Sequence, residues 1–287
     1  MTDDPMAQEL EIKLTLNECD LAAVLVWLKA QPCTALGASK RLENTYYDTP
    51  GADLNRQKAA LRVRQQGDAC VQTVKTQGRF VNGLHQRDEW EWPLATATLN
   101  LGLLADTPLA EGVNLAQLAP VFETNFSRQI VIIDDGEAVI ECALDHGVVV
   151  AGSRQKPLCE VEFELKSGNP QRLLEWAGRL AQRCPVFVNL ISKAEQGYYL
   201  AGVHAPAADA QPADAVIAWC RRLALAWLCG TAVDLQGLDE EALAVRAGQK
   251  AVTDALQRVM TQLQAGAEPA TLLQDPTLGQ LQLALLA

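Results

Sequence analysis

The chain has 287 residues, 49% of them hydrophobic and 21% charged, with 24 Lys+Arg against 35 Asp+Glu and a formal net charge of −11. This composition excludes intrinsic disorder as a description of the whole and supplies enough apolar residues for one large core or two smaller ones. The acidity also excludes the broad basic surface that generic binding to nucleic acid or an anionic membrane requires. The eight cysteines are scattered without a CxxC pair, and the sole close neighbours, Cys142 and His146, do not make a zinc site by themselves. Residues Met1 to Gln8 carry acids where a signal peptide needs bases, and no apolar run is long enough to span a membrane. We therefore expect a cytoplasmic protein with reduced thiols.

Taken in chain order, period-two alternation or a short β-branched run predicts strands in several places. They are Ala7–Leu16, Ala60–Gln66, Val71–Thr76, Gln86–Trp92, Arg128–Ile133, Ala138–Leu144, Val148–Ala151 and Leu158–Leu165. Turn chemistry separates them at Gln66-Gly67-Asp68, Asp134-Asp135-Gly136, His146-Gly147 and Gly152-Ser153. Asn17 is placed to cap a helix over Glu18–Ala30, and Asn169-Pro170 opens a second over Gln171–Cys184. Many strands with few helices point to a closed or nearly closed antiparallel sheet of the α+β class. The Ala-, Pro- and Asp-rich stretch 203–215 reads as a linker after a first domain, 1–202. Residues 216–287 read as a small all-α region: Val216 to Cys229, Asp239 to Ala265, and a short last helix around Leu278 to Leu286.

Several strands place charges at every second position, so that each set shares one face. Glu9, Glu11 and Lys13 alternate with Leu10, Ile12 and Leu14; Arg62 and Arg64 with Leu61 and Val63. Arg87, Glu89 and Glu91 alternate with Asp88, Trp90 and Trp92, and Glu160, Glu162 and Glu164 with Val161, Phe163 and Leu165. On any one strand the ordinary reading is a charged face toward solvent. The sorting by type argues otherwise: carboxylates on two strands, arginines on a third, and Lys75 and Arg128 on others. If these faces line the bore, the carboxylates suit hard cations and the guanidiniums and ammoniums suit phosphate oxygens. A polyphosphate with its divalent metal would satisfy both sets.

The sequence Glu9-Leu10-Glu11-Ile12-Lys13 resembles the ExExK signature of the CYTH superfamily, the triphosphate tunnel metalloenzymes. It is followed in order by Tyr46-Tyr47-Asp48-Thr49, Leu61-Arg62-Val63-Arg64, Lys75, Gly83-Leu84-His85-Gln86-Arg87, Arg128, Asp145, Glu160-Val161-Glu162 and Ser192-Lys193. The resemblance covers roughly residues 7–200 and is greatest to the bacterial inorganic triphosphatase branch. It implies an eight-stranded antiparallel β-tunnel with flanking helices that hydrolyses inorganic triphosphate, a small-molecule substrate, with Mg²⁺ or Mn²⁺. By that resemblance Glu9, Glu11, Glu160 and Glu162 are metal ligands, joined by Asp145. Lys13, Arg62, Arg64, Lys75, Arg87, Arg128 and Lys193 hold phosphate oxygens, and the catalytic set is Glu9, Glu11, Lys13, Glu160 and Glu162. Glu89, Glu91 and Glu164 could bind a second metal, orient a base or balance charge.

Blander readings stand beside these. Lys193 could be a first-turn helix residue behind a Ser192 cap, Asp145 could open a turn, and Tyr46 and Tyr47 read as packing residues. His85 and His146 match no family catalytic position. The same cage supports thiamine triphosphatase and class IV adenylate cyclase relatives, and a non-catalytic polyphosphate- or nucleotide-binding module is a further alternative. Related chains often append a helical, histidine-marked CHAD domain; here His204, in the linker, is the sole histidine after residue 200, and the tail reads as a shortened or diverged relic or a packing element.

Overall fold

The computed structural model describes residues 6–76, 78–81, 84–203 and 214–287. The first half runs β1 (Met6–Leu16), α1 (Glu18–Lys29), β2 (Thr34–Asp48), α2 (Asp53–Arg56), β3 (Ala60–Gln66), β4 (Ala69–Lys75), β5 (Arg79–Val81) and β6 (Leu84–Leu94). After short 3₁₀ turns come β7 (Ala119–Asp134), β8 (Ala138–Ala151), β9 (Arg154–Gly168), α3 (Gln171–Ala181), β10 (Val186–Val188) and α4 (Lys193–Ala201). The C-terminal helices are α5 (Ala215–Cys229), α6 (Glu240–Gln249), α7 (Thr253–Gln264), α8 (Pro269–Leu272) and α9 (Thr277–Leu286). Strands β1-β9-β8-β7-β2-β3-β4-β6 pair in that order, all antiparallel, and the sheet closes because β6 returns to β1 from Met6↔Trp90 to Glu11↔His85. The result is the expected eight-stranded antiparallel barrel, with β10 extending the edge of β1 and β5 that of β6.

Its membership differs from the sequence reading. The expected strands Ala138–Leu144 and Val148–Ala151 are one strand, β8, and His146-Gly147 makes no turn. The eighth strand is β2, whose period-two signal is broken by a register shift between Leu36 and Ser39. The helical stretch Asp239–Ala265 is two helices, parted where Ala251 turns left-handed at φ 56°. Asn17 stands at the start of α1, but its side chain donates to Asp20 rather than accepting from the backbone.

Most apolar residues of the strands face outward and are covered on two sides, whereas Leu42, Phe126 and Leu158, in step with Asn44, Arg128 and Glu160, form a small cluster on the inner face. Ile12, Leu14, Ile140, Leu144, Val161 and Phe163 pack with α1, α3 and the C-terminal helices in one buried cluster. Leu61 and Val74, with Trp90 and Trp92, pack under Leu104 and Leu109 of the segment after β6. Each such side chain contributes about 1.5–3 kcal/mol on burial, so the exterior is the hydrophobic side and the alternating charges turn inward.

The C-terminal helices complete this cover. The buried Gln282 of α9 accepts from Val188 N at 2.8 Å and donates to Val188 O at 3.1 Å, standing in for a strand neighbour on the edge of β10. The stretch 204–213, with His204 and most of the expected linker, lies outside the described residues. Asp214 caps α5 by accepting from Val216 N and Ile217 N. Among the described residues, no helix is long and apolar enough to cross a membrane.

Gly147 lies where β8 passes close to β7, and a Cβ there would collide with Asn125 O and the Phe126 backbone. Gly147→Ala is therefore expected to destabilise the protein by about 2 kcal/mol through overpacking. Thermal unfolding checks this, and an unchanged Tm would contradict it.

Candidate active site in the barrel bore

Register brings the charged faces of non-adjacent sequence segments to common levels of the bore. Glu9 lies opposite Arg87, Lys13 opposite Glu162, Lys75 opposite Glu89, and Arg128 opposite Asp145, which in turn faces Glu160. Lys193 comes from α4, whose start is fixed by a reciprocal capping box between Ser192 and Glu195. Gly197 allows α4 to lie directly on Phe122, where a Cβ would enter the ring. The Ser192 cap and the bore position of Lys193 therefore coexist.

The carboxylates form two groups. In one, Lys193 Nζ meets Asp145 Oδ2 at 2.9 Å, Glu160 Oε2 at 2.8 Å and Glu162 Oε1 at 2.7 Å. Arg128 grips Asp145 with two hydrogen bonds, at 2.7 and 2.6 Å, and reaches Glu162 at 2.7 Å. Gln196 Nε2 donates to Glu160 Oε1 at 3.0 Å. In the other, Lys75 donates to both oxygens of Glu9 at 2.8 Å and stands 3.0 Å from Glu89. Arg87 joins Glu9 at 2.9 Å to Glu11 at 3.0 Å. Lys13 donates to Ile191 O and attracts Glu162, its cross-strand neighbour.

Burial alone would raise these carboxyl groups, but the cations outweigh it. Lys75 and Arg87 hold Glu9 below the usual range, Arg87 does so for Glu11, and Lys193 with Arg128 does so strongly for Glu162. Glu89 is the exception: burial, reinforced by its hydrogen bond with Glu9, pushes it up to about 7. Glu164 is likewise raised by burial, whereas Glu91 is lowered by Arg62 and a hydrogen bond from Thr73 at 3.0 Å.

The opposite wall is short of negative charge. Arg64 Nε donates to the neutral Asn44 Oδ1 at 2.7 Å, and burial with repulsion from Arg62 and Arg128 pushes the guanidinium down to about 9, so it remains cationic at neutral pH. Arg62 stands 3.7 Å from Glu89 and Glu91, and its Nε is buried without a hydrogen-bond partner. The Tyr46 phenol, although buried, is lowered by Arg62 and Arg64, with Arg62 hydrogen-bonded to it. A buried donor without a partner costs free energy, and an anionic oxygen is the chemistry that would satisfy it.

All the residues nominated from sequence reach the bore, and several neutral ones join them. Asp145 lies in mid-strand, fully buried, rather than at a turn. Tyr46 stacks on Phe122, as a packing residue would, yet also meets Arg62. Tyr47 faces the outer cluster, as a packing residue. His85 lies 3.7 Å from Glu11 on the bore face, whereas His146 pairs with Glu18 outside it. Asn44, Thr124 and Gln196 were not nominated; their inward positions follow from the registers of β2 and β7 and the seat of α4, which no alternation of charge marks.

The donor set is made of hard carboxylate oxygens, the chemistry that Mg²⁺ or Mn²⁺ prefers. Of the three Lys193 contacts, that to Glu162 is aligned as a hydrogen bond, and Glu160 Oε2 is buried without one. The residues thus fit a hard divalent cation in kind. In spacing, no three acidic, histidine or cysteine groups among the described residues converge as ligands, because lysine and arginine nitrogens stand between the carboxylates.

The CYTH domain family matches residues 7–198, and the chain belongs to that family. A Haemophilus influenzae protein named inorganic triphosphatase is 36% identical over 197 residues, covering 68% of this chain. The chain spans 55% of the length of that curated relative. A Hippeastrum protein whose structure is described as revealing a dominant triphosphatase activity superposes with a TM-score of 0.49 at 18% identity, covering 67% of this chain and 95% of that one. A Bacillus halodurans protein gives a TM-score of 0.43 at 19% identity, covering 62% and 90%.

The Glu89 shift has a sign that can be measured. Between its ordinary 4.5 and about 7 the folded protein keeps a proton that the unfolded chain releases, so stability falls as pH rises through that window. Glu9, Glu11 and Glu162 act oppositely, and their contribution is lost on acidification below the usual carboxylate range. In chelator, the Tm of Glu89→Gln should fall less steeply with pH across that window than the Tm of the wild type. Parallel profiles would remove Glu89 as the cause.

Proposed function

We propose that this chain hydrolyses inorganic triphosphate, with a divalent metal, to pyrophosphate and orthophosphate inside the barrel. The observation that carries the reading is the under-compensated wall: Arg64 is held by a neutral amide, and Arg62 beside it, though 3.7 Å from Glu89 and Glu91, keeps a buried Nε without a hydrogen-bond partner. A linear triphosphate supplies anionic oxygens to that wall and to Lys13, Lys75, Arg87, Arg128 and Lys193. The name carried by the Haemophilus influenzae relative agrees with this substrate class. We assign the reaction to the cytoplasm, in keeping with eight free cysteines, Cys142 and Cys220 among the buried ones.

Glu9 and Glu11 in one group and Asp145, Glu160 and Glu162 in the other would hold Mg²⁺ or Mn²⁺ once the lysine and arginine nitrogens that stand between them turn to the triphosphate. Bound there, the cation supplies Lewis-acid stabilisation of charge on the phosphoryl oxygens and lowers the pKa of water. The remaining work belongs to the chain's own groups. The arginines fix the triphosphate in line, Lys193 and Arg128 neutralise charge as it develops, and a bore carboxylate accepts the proton of the attacking water. Water adds to a terminal phosphorus, the bridging P–O bond breaks and pyrophosphate leaves. Phosphoryl transfer of this kind needs positioning and electrostatics rather than a covalent nucleophile.

Phosphate release from tripolyphosphate, thiamine triphosphate and ATP, with and without Mg²⁺, tests the proposal. Tripolyphosphate should be turned over fastest, and Mg²⁺ should be required. Glu9→Gln or Glu160→Gln should lower kcat by about a hundredfold or more, whereas Arg62→Ala should chiefly raise KM. Full activity in either carboxamide variant would sink the assignment, and no release from any substrate would favour a binding module.

A further inference from the structure

Residues 189–192 form a strap from β10 to Lys193, and the strap is held from both sides. On the barrel side, Lys13 Nζ donates to Ile191 O, and Asn189 Nδ2 donates to Thr15 Oγ1 at 2.9 Å. On the outer side, Arg221 of α5 donates to Leu190 O at 3.4 Å and to Glu195 Oε1 at 2.5 Å. Glu195 uses its other oxygen to accept from Ser192 N at 3.1 Å, while Ser192 Oγ accepts from Glu195 N at 3.1 Å. Burial would raise Glu195, but Arg221 first and then the Ser192 amide hold it below the usual range.

The geometry joins a charge outside the barrel to one inside it. Arg221 and Glu195 are 18% and 27% exposed, which spares the pair much of the screening of a surface bridge. Glu195 is also half of the capping box, so its carboxylate sets where the first turn of α4 begins. Lys193 is the first residue of that turn, and its Nζ makes contacts of 2.7–2.9 Å that a modest rotation of α4 would break.

We propose that Arg221 is a positioning residue for the bore: through Glu195 it fixes the start of α4 and thereby seats Lys193 on Asp145, Glu160 and Glu162. The C-terminal helical region then contributes to the site without meeting substrate. The kinetic arm of the test rests on the triphosphate reading; the structural arm does not.

The structural arm is the acetylation rate of Lys193 in the folded, full-length chain, read by peptide mass spectrometry. Arg221→Gln and Glu195→Gln should each raise it by about tenfold through local opening of the strap. Arg222→Gln is the control, since Arg222 lies on the same helix and donates to Asp234 O at 2.7 Å, away from the strap. Unchanged rates in Arg221→Gln and Glu195→Gln, or an equal rise in Arg222→Gln, would overturn the proposal. In the kinetic arm, Arg221→Gln should lower kcat/KM for tripolyphosphate by about tenfold alone and by less than about twofold in a Lys193→Ala background. Additive losses would also overturn it. A wild type without turnover would refute the functional reading, and the acetylation rates would still decide the role of Arg221.

Discussion

Charges buried in one bore must neutralise one another, and this requirement organises the barrel. Asp145 is fully buried, gripped twice by Arg128 and touched by Lys193, and removing any of these partners would strand a charge at a cost of several kcal/mol. The same low-dielectric surroundings strengthen each contact. The balance is uneven around the wall: acids concentrate on β1, β6, β8 and β9, whereas Arg62 and Arg64 stand on β3 beside neutral Asn44 and Tyr46. On the proposed function, that asymmetry suits a ligand of mixed sign, a polyanion with its divalent cation.

The net charge of −11 concerns the whole chain, not the place where chemistry is concentrated. Glu9, Glu11, Asp145, Glu160 and Glu162 contribute to that sum, yet each is engaged by a lysine or arginine of the bore. A small polyanion entering the barrel meets Arg62, Arg64 and Arg128 at short range, where the average surface potential matters little.

Period two made the inward charges of β1, β3, β6 and β9 legible, because each strand sorts its charges to one face with few exceptions. What remained hidden depended on register and packing. β2 carries Asn44 and Tyr46 to the bore, but its bulge near Gly37 erases the alternation that would reveal a strand. Asp145-His146-Gly147 has turn composition, yet Gly147 serves the close approach of β8 to β7 and Asp145 stays in mid-strand. The pairing of Lys193 with three carboxylates could not be read from spacing, since it depends on how α4 is seated against Phe122. Nor did the apolar tail announce that Gln282 would close the edge of β10.

Recognition of a triphosphate by the guanidinium wall is tested most directly by calorimetric titration of tripolyphosphate into the metal-free protein and its Arg64→Met variant. The wild type should bind, and the variant should lose about tenfold or more in affinity with its fold retained. Equal affinities, or no binding by the wild type, would contradict it.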